Sequence, residues 1–312
     1  MVTYKDLLKA HFSDCDVGRA RRKFGEEHLT SRLTVDRSEV LEPKLRGPWR
    51  DDVDAGLARW QFGYRTLSSG NTMELLMHIH AVDRNDVPLL TEWEQVAFCG
   101  DCKGSSGACP GFAPRFDTIK PKVRTLYVIA TSMDAVWAMQ YMPLNSSKVG
   151  WMLRGLQFID RITVRYHGRL LETLRQCGFI LGAGGCKACT SKKNCTAVRG
   201  GKCQQPSKRI YSMEAVGVDC DALHAAFYGE YLSWYYRRTN AMLTYMTRYA
   251  GILSDASPDV IVDAVHRAVI NDKSFVPFDM VPHIDMPTAR LMEIPSGVHK
   301  GCHQFVYDID VS

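Results

Sequence analysis

The segment LLETLRQCGFILGAGGCKAC, residues 170–189, passes from helix to strand to a cysteine-rich loop. Leu170 and Leu174 continue a stripe begun by Leu156, Ile159, Thr163 and Tyr166 or His167, at spacings of three and four. That period predicts a helix from Val149 to Cys177 with one face on a core. Gly178 stands where a helix C-terminal glycine belongs. FILGAG then reads as a short buried strand. Upstream, VRTLYVIATS (Val123 to Ser132) is rich in β-branched and aromatic residues between polar turns, which predicts another strand. Strand, long helix, strand is an α/β signature with α+β as the variant, and a ferredoxin-like strand–helix–strand core is the expectation. Cysteine groups lie just before the first strand and just after the second, so packing this unit can bring them together.

Working outward, three segments are expected: an N-terminal extension over 1–90, a cysteine-rich core over 91–225, and a helical and irregular C-terminal extension over 226–312, packed on the core. In the first, TYKDLLKAHF reads as a short helix and GRARRKFGEEHLTSRL as a solvated amphipathic helix. SEVLEPKLRGPWRDD reads as an exposed loop. TMELLMHIHAVD is a strand or a buried helix, which periodicity alone does not decide. Past the cysteines, the stretch from Ser212 to Leu253 begins with a turn and is expected to continue as one or two helices. SPDVIVDAVHRAVIND is expected to be helical, with Ser257 as N-cap and Pro258 at the first position. The tail from Phe275 is expected to be irregular.

The 312 residues are 46% hydrophobic and 23% charged, which is ordinary for a globular protein. A formal charge of +5 permits an acidic partner without requiring nucleic acid. MVTYKDLLKAHFSDCD lacks the apolar region of a secretory signal, and no apolar run is long enough to span a bilayer. A cytoplasmic location is therefore expected, where thiols stay reduced. Eleven cysteines is also an odd number, so disulfides leave at least one unpaired. Metal becomes the expected explanation of the cysteines.

There are two groups. CGDCKGSSGACP carries Cys99, Cys102 and Cys109, and GGCKACTSKKNCTAVRGGKC carries Cys186, Cys189, Cys195 and Cys203. Each opens with C-x-x-C, the spacing that lets two thiolates close on one metal centre. Glycines crowd both groups and let the backbone wrap closely. Four cysteines satisfy a tetrahedral structural zinc, which is the alternative. The three unequal gaps in the second group and the Cys-Pro at 109–110 favour iron–sulfur, with two 4Fe-4S clusters as the expected cofactors. A cluster held by four thiolates is saturated and mainly moves electrons. One held by Cys99, Cys102 and Cys109 alone leaves an iron open to polarise a substrate or hold a hydrosulfide. Should Cys177 or Cys220 supply a fourth thiolate, both clusters are closed and the protein reads as a ferredoxin-like electron carrier.

The segments FCGDCKGSSGACPGFAP, GGCKACTSKKNC and CQQPSKRIYSMEAVGVDC resemble a cysteine-rich family of bacterial and archaeal predicted metal-binding proteins of unknown function. The resemblance covers roughly residues 90 to 225. It implies a three-cysteine group ending in Cys-Pro, a Gly-Cys-x-x-Cys group and a serine–methionine–glutamate stretch. Two positions depart from the pattern: Gly111 follows Pro110 where members carry a second proline, and Cys220 stands where an aliphatic residue is expected. The resemblance implies iron–sulfur binding and no particular reaction.

Other residues stand nearby in sequence. Glu214 is a candidate acid or base, or a helix cap. Lys187, Lys192, Lys193, Arg199, Lys202, Lys208 and Arg209 offset cluster charge or dock an acidic electron donor. His78 and His80 share one face if HIH is a strand, which makes a buried or substrate-contacting role available. His299, Cys302 and His303 form a small set expected to be structural or surface. Trp234, Tyr235 and Tyr236 are expected in a core or interface, and Cys15 as a bystander. No G-x-G-x-x-G, Walker loop or radical-SAM spacing is present. The expected protein is an iron–sulfur enzyme acting by redox or sulfur-transfer chemistry. Its partners are a small-molecule substrate and an electron donor such as ferredoxin or flavodoxin, with no membrane and no nucleic acid.

Overall fold

The computed structural model describes residues 47–49, 53–65, 72–91, 95, 107–134, 162–184, 186, 188–189, 195–229, 232, 245–277, 290–293 and 305–308. Ala58–Arg65 (β1) and Thr72–Asp83 (β2) pair antiparallel, so TMELLMHIHAVD is a strand. Thr125–Asp134 (β3) follows β2 in the sheet through nine antiparallel pairs. Its alternate side chains enter two cores: Tyr127, Ile129 and Met133 on one face, Leu126, Val128 and Ala130 on the other. The expected helix is seen over residues 162–174 (α1) and closes in a 3-10 turn at Arg175–Cys177. A Cβ on Gly178 would lie 2.4 Å from the Leu253 carbonyl oxygen, so only glycine lets the chain turn this close to the neighbouring strand. Phe179–Gly182 (β4) is the short buried strand, and Tyr211–Ser212 (β5) pairs with it in parallel.

Cys220–Tyr228 (α2) then leads to Tyr245–Ser254 (β6), Pro258–Ile270 (α3) and Phe275–Pro277 (β7). The seven-stranded sheet has the order β5-β4-β6-β3-β2-β1-β7 and is antiparallel except at β4–β5. Strands β3 and β4 both run antiparallel to β6, which lies between them, and are therefore parallel to each other. The β3–α1–β4 unit is thus split by an inserted strand. Residues from all three expected segments contribute to this one sheet. Arg290–Glu293 (β8) and Phe305–Asp308 (β9) form a separate antiparallel pair.

β6 corrects the expectation that the stretch ending at Leu253 continues as helix to its end. Its Met246, Ala250 and Ile252 face α1 and α3, while Tyr249 and Leu253 face the core that includes α2. Because both faces are buried, the polar half of a period-two pattern is missing, and the run reads like a buried helix. The tail expected to be irregular likewise contains β7, β8 and β9. Nor is the PW of GPWRDD exposed. Pro48 and Trp49 are buried, and Trp49 packs with Leu76 and Tyr245 while its indole N–H donates to Glu74 at 3.4 Å. The amphipathic helices expected before residue 34 lie outside the described residues.

One face of the sheet carries α1 and α3. Ile162, Tyr166, Leu170 and Leu174 of α1 join Ile261, Val265 and Val269 of α3 there. Pro258 opens α3 and Ser257 is its N-cap residue, without a side-chain capping bond. The other face carries α2 and the loop after Cys109, through Phe116, Ile119, Leu223 and Tyr228. Arg84 pins that loop by donating to the carbonyls of Phe116 at 2.8 Å, Asp117 at 2.9 Å and Lys120 at 3.0 Å.

Candidate metal centre

β4 leads toward the second cysteine group at the β5 edge of the sheet, and the described part of that group is formed by bends and short turns. Thr196–Arg199 is a single 3-10 turn stopped by Gly200 at φ 82°. Just before it, Cys195 receives an amide from a distant segment: the Gly107 N–H donates to its Sγ at 3.3 Å. Gly107 lies two residues before Cys109, so the two cysteine groups meet at this bond. A side chain at Gly107 would place its Cβ 2.5 Å from Ala197 Cβ and 3.3 Å from Cys195 Sγ, which explains glycine there. Arg209 ties the same junction by donating to the carbonyls of Gly107 and Phe112, and its guanidinium lies 4.7 Å from the Tyr211 ring centre.

This arrangement polarises the thiols. Burial opposes ionisation of Cys195. The amides of Gly107, Val198 and Ala197 together with the Arg209 charge outweigh it and hold the thiol below its ordinary value. The Ala188 N–H points at Cys186 Sγ at 3.5 Å. Cys189 is pushed the other way, first by partial desolvation and then by charge on Cys195, Cys203 and Cys186. The four cysteines of the second group therefore share one electrostatic neighbourhood. Among the described residues, however, no three His, Cys, Asp or Glu side chains stand close enough to close on one ion, and none of the seven described cysteines forms a disulfide. The donor chemistry suits a thiolate-bound metal, since amide hydrogen bonds to sulfur and a nearby guanidinium stabilise thiolates.

Of the first group, Cys109 is buried, and its carbonyl accepts the Phe112 and Ala113 N–H groups, both at 3.0 Å. Cys99 and Cys102 lie outside the described residues, as do Cys15, Lys187, Lys192, Lys193, Trp234, Tyr235, Tyr236, His299, Cys302 and His303. Arg199, Lys202 and Lys208 are exposed around the second group. The two candidate fourth ligands stand on opposite faces of the sheet. Cys177 packs against the core under α1 and α3, where burial raises its thiol and the Arg267 charge lowers it. Cys220 opens α2 in the other core. Burial and the charges of Glu214, Asp219 and Asp221 hold its thiol well above the ordinary range, and it hydrogen-bonds Glu214.

Glu214 begins the 3-10 turn Glu214–Val216 rather than α2, whose N-cap is Asp219, accepting the Ala222 N–H at 3.0 Å. Burial raises the Glu214 carboxyl, opposed by its own amide, Ser212 and Cys220. The neighbouring Ala215 carbonyl accepts from Gln95 Nε2, and Gln95 Oε1 in turn accepts from Arg115 at 3.1 Å. The segments around Cys109, Cys195 and Glu214 are therefore knitted into one region. Gln95 and Arg115 were not singled out by sequence reasoning, and no local pattern marks them.

The result is a mixed sheet protein with a thiol-rich junction at one sheet edge. The chain belongs to the family described as "Predicted metal-binding protein (DUF2284)", whose model matches residues 94–253, just over half of the chain. No curated protein and no solved structure matches it. Among the described residues, no helix is long and apolar enough to cross a membrane.

Proposed function

We propose that the chain is an iron–sulfur enzyme carrying two four-iron clusters. Cys186, Cys189, Cys195 and Cys203 would hold one, and Cys99, Cys102 and Cys109 the other. The observation that carries this reading is the Gly107 N–H bond to Cys195 Sγ, which presents a stabilised thiolate at the meeting point of the two groups. Amide-to-sulfur bonds of this kind tune and protect cluster thiolates. A cluster on three thiolates supplies an open iron that polarises or holds a small molecule.

The chain's own residues have separate tasks in this reading. Arg209 fixes the Gly107–Phe112 turn and offsets negative charge at Cys195. Glu214 retains a proton to higher pH than an exposed carboxyl, which suits a general acid or base. The substrate would be a small molecule and the electron donor an acidic protein such as a ferredoxin or flavodoxin, drawn by Arg199, Lys202 and Lys208. Four thiols in one neighbourhood also suit a structural zinc, and closed clusters would suit an electron carrier.

Electron paramagnetic resonance of the reduced protein, with cyanide or sulfide added, separates these readings. The expected result is that only the signal lost in Cys109→Ser shifts, while the signal lost in Cys195→Ser does not move. If neither signal responds to added ligand, no iron is open and the enzyme reading fails.

A further inference from the structure

His78 and His80 take no part in the thiol region. They stand two residues apart on β2, so both rings project from the sheet face that α2 covers. Both are buried, at 1% and 4% relative exposure. Tyr228 of α2 fixes the His78 ring, its hydroxyl 2.9 Å from Nδ1. Phe227 stacks on His80 with ring centres 3.9 Å apart and planes within 4°. Opposite, the backbone of Gly56 presses on the same ring: a Cβ there would lie 2.7 Å from Nδ1. Both imidazoles are therefore held in place, yet the Nε2 atom of each has no hydrogen-bond partner.

His224 shows that this core can satisfy a histidine. It is fully buried, with Nδ1 2.6 Å from the Tyr249 hydroxyl and Nε2 3.1 Å from that of Tyr245. Leaving a buried polar atom unpartnered is costly, and here two such nitrogens stand on neighbouring rings whose centres are 5.8 Å apart. Burial pushes His78 down to about 3 and His80 to about 4. Both are consequently neutral near pH 7, the form in which imidazole donates a lone pair.

We propose that the Nε2 atoms of His78 and His80 bind a divalent transition-metal ion, at a site separate from the cysteines. The Tyr228 contact to His78 Nδ1 is the outer hydrogen bond that orients a metal-binding imidazole. Two nitrogen donors favour zinc, nickel or copper over magnesium or calcium. The remaining positions fall to water or an added ligand. Asp54 contributes a negative charge felt by both rings, and Arg59, the cross-strand neighbour of His78, a positive one.

The test is zinc titration of the full chain, purified anaerobically, followed through the imidazole 15N resonances. Zinc is expected to shift Nε2 of His78 and His80 and leave His224 unmoved. His78→Gln and His80→Gln are each expected to weaken this binding by about tenfold or more, with iron content unchanged. His224→Gln, which disturbs the same core, is expected to retain it. Unchanged His78 and His80 resonances in the wild-type protein would overturn the proposal, whatever the variants do. Loss of the thiol reading would instead appear as absent iron, with these resonances still responding.

Discussion

Cys195 and Cys220 stand in surroundings that drive their ionisation in opposite directions. Three amides and a guanidinium favour the Cys195 thiolate, whereas burial and three carboxylates keep the proton on Cys220. In metal-free, reduced protein at pH 7, iodoacetamide is expected to label Cys195 while leaving Cys220 untouched until the chain unfolds. Peptide mapping by mass spectrometry reads both, and equal labelling rates would contradict the local electrostatics. The spacing of Cys186, Cys189, Cys195 and Cys203 is visible in the sequence. The amide that serves Cys195 is not, because Gly107 lies 88 residues away. Arg209 was visible as one of several basic residues, but its reach to the Gly107 carbonyl, 102 residues distant, depends on the fold. The same holds for the His224 contacts with Tyr245 and Tyr249, which join a helix to a strand.

At the level of elements, legibility followed how each one is buried. α3 announces itself because only one side is buried: Ile261, Ala264, Val265 and Ala268 face the core, while Val260 and Ile270 are exposed. β3 was readable from its β-branched content, and α1 ended at Gly178 as its sequence indicated. The β6 segment reads as helix in the sequence because Met, Ala and Leu fill a strand that is buried on both faces. The one-sided burial of α3 sets a stability prediction. Ile261→Ala should cost about 2–5 kcal/mol through the lost contacts and the cavity. Val260→Ala should change stability by no more than about 0.5 kcal/mol. Urea denaturation of the two variants checks this, and equal losses would mean that α3 is docked by another face.

Over the whole molecule, the family match and the sheet do not share boundaries. The match runs from residue 94 to 253, whereas the sheet also needs β1 and β2 before it and β7 after it. Nine pairs join β2 to β3, and α3 covers the core beneath them. A fragment of residues 94–253 would expose the β3 edge and the apolar face that α3 covers, both of which promote aggregation. Such a fragment is expected to show no cooperative thermal transition in circular dichroism, unlike the full chain. A soluble, cooperatively melting fragment would show instead that the flanking strands are dispensable. His78 and His80 lie on β2, outside the matched residues, so the proposed imidazole site is not part of the family match.

The central claim is that the cysteines hold iron–sulfur clusters, and elemental analysis of anaerobically purified protein tests it most directly. Two four-iron clusters require about eight irons and about eight acid-labile sulfides per chain. Zinc bound without sulfide would contradict the account.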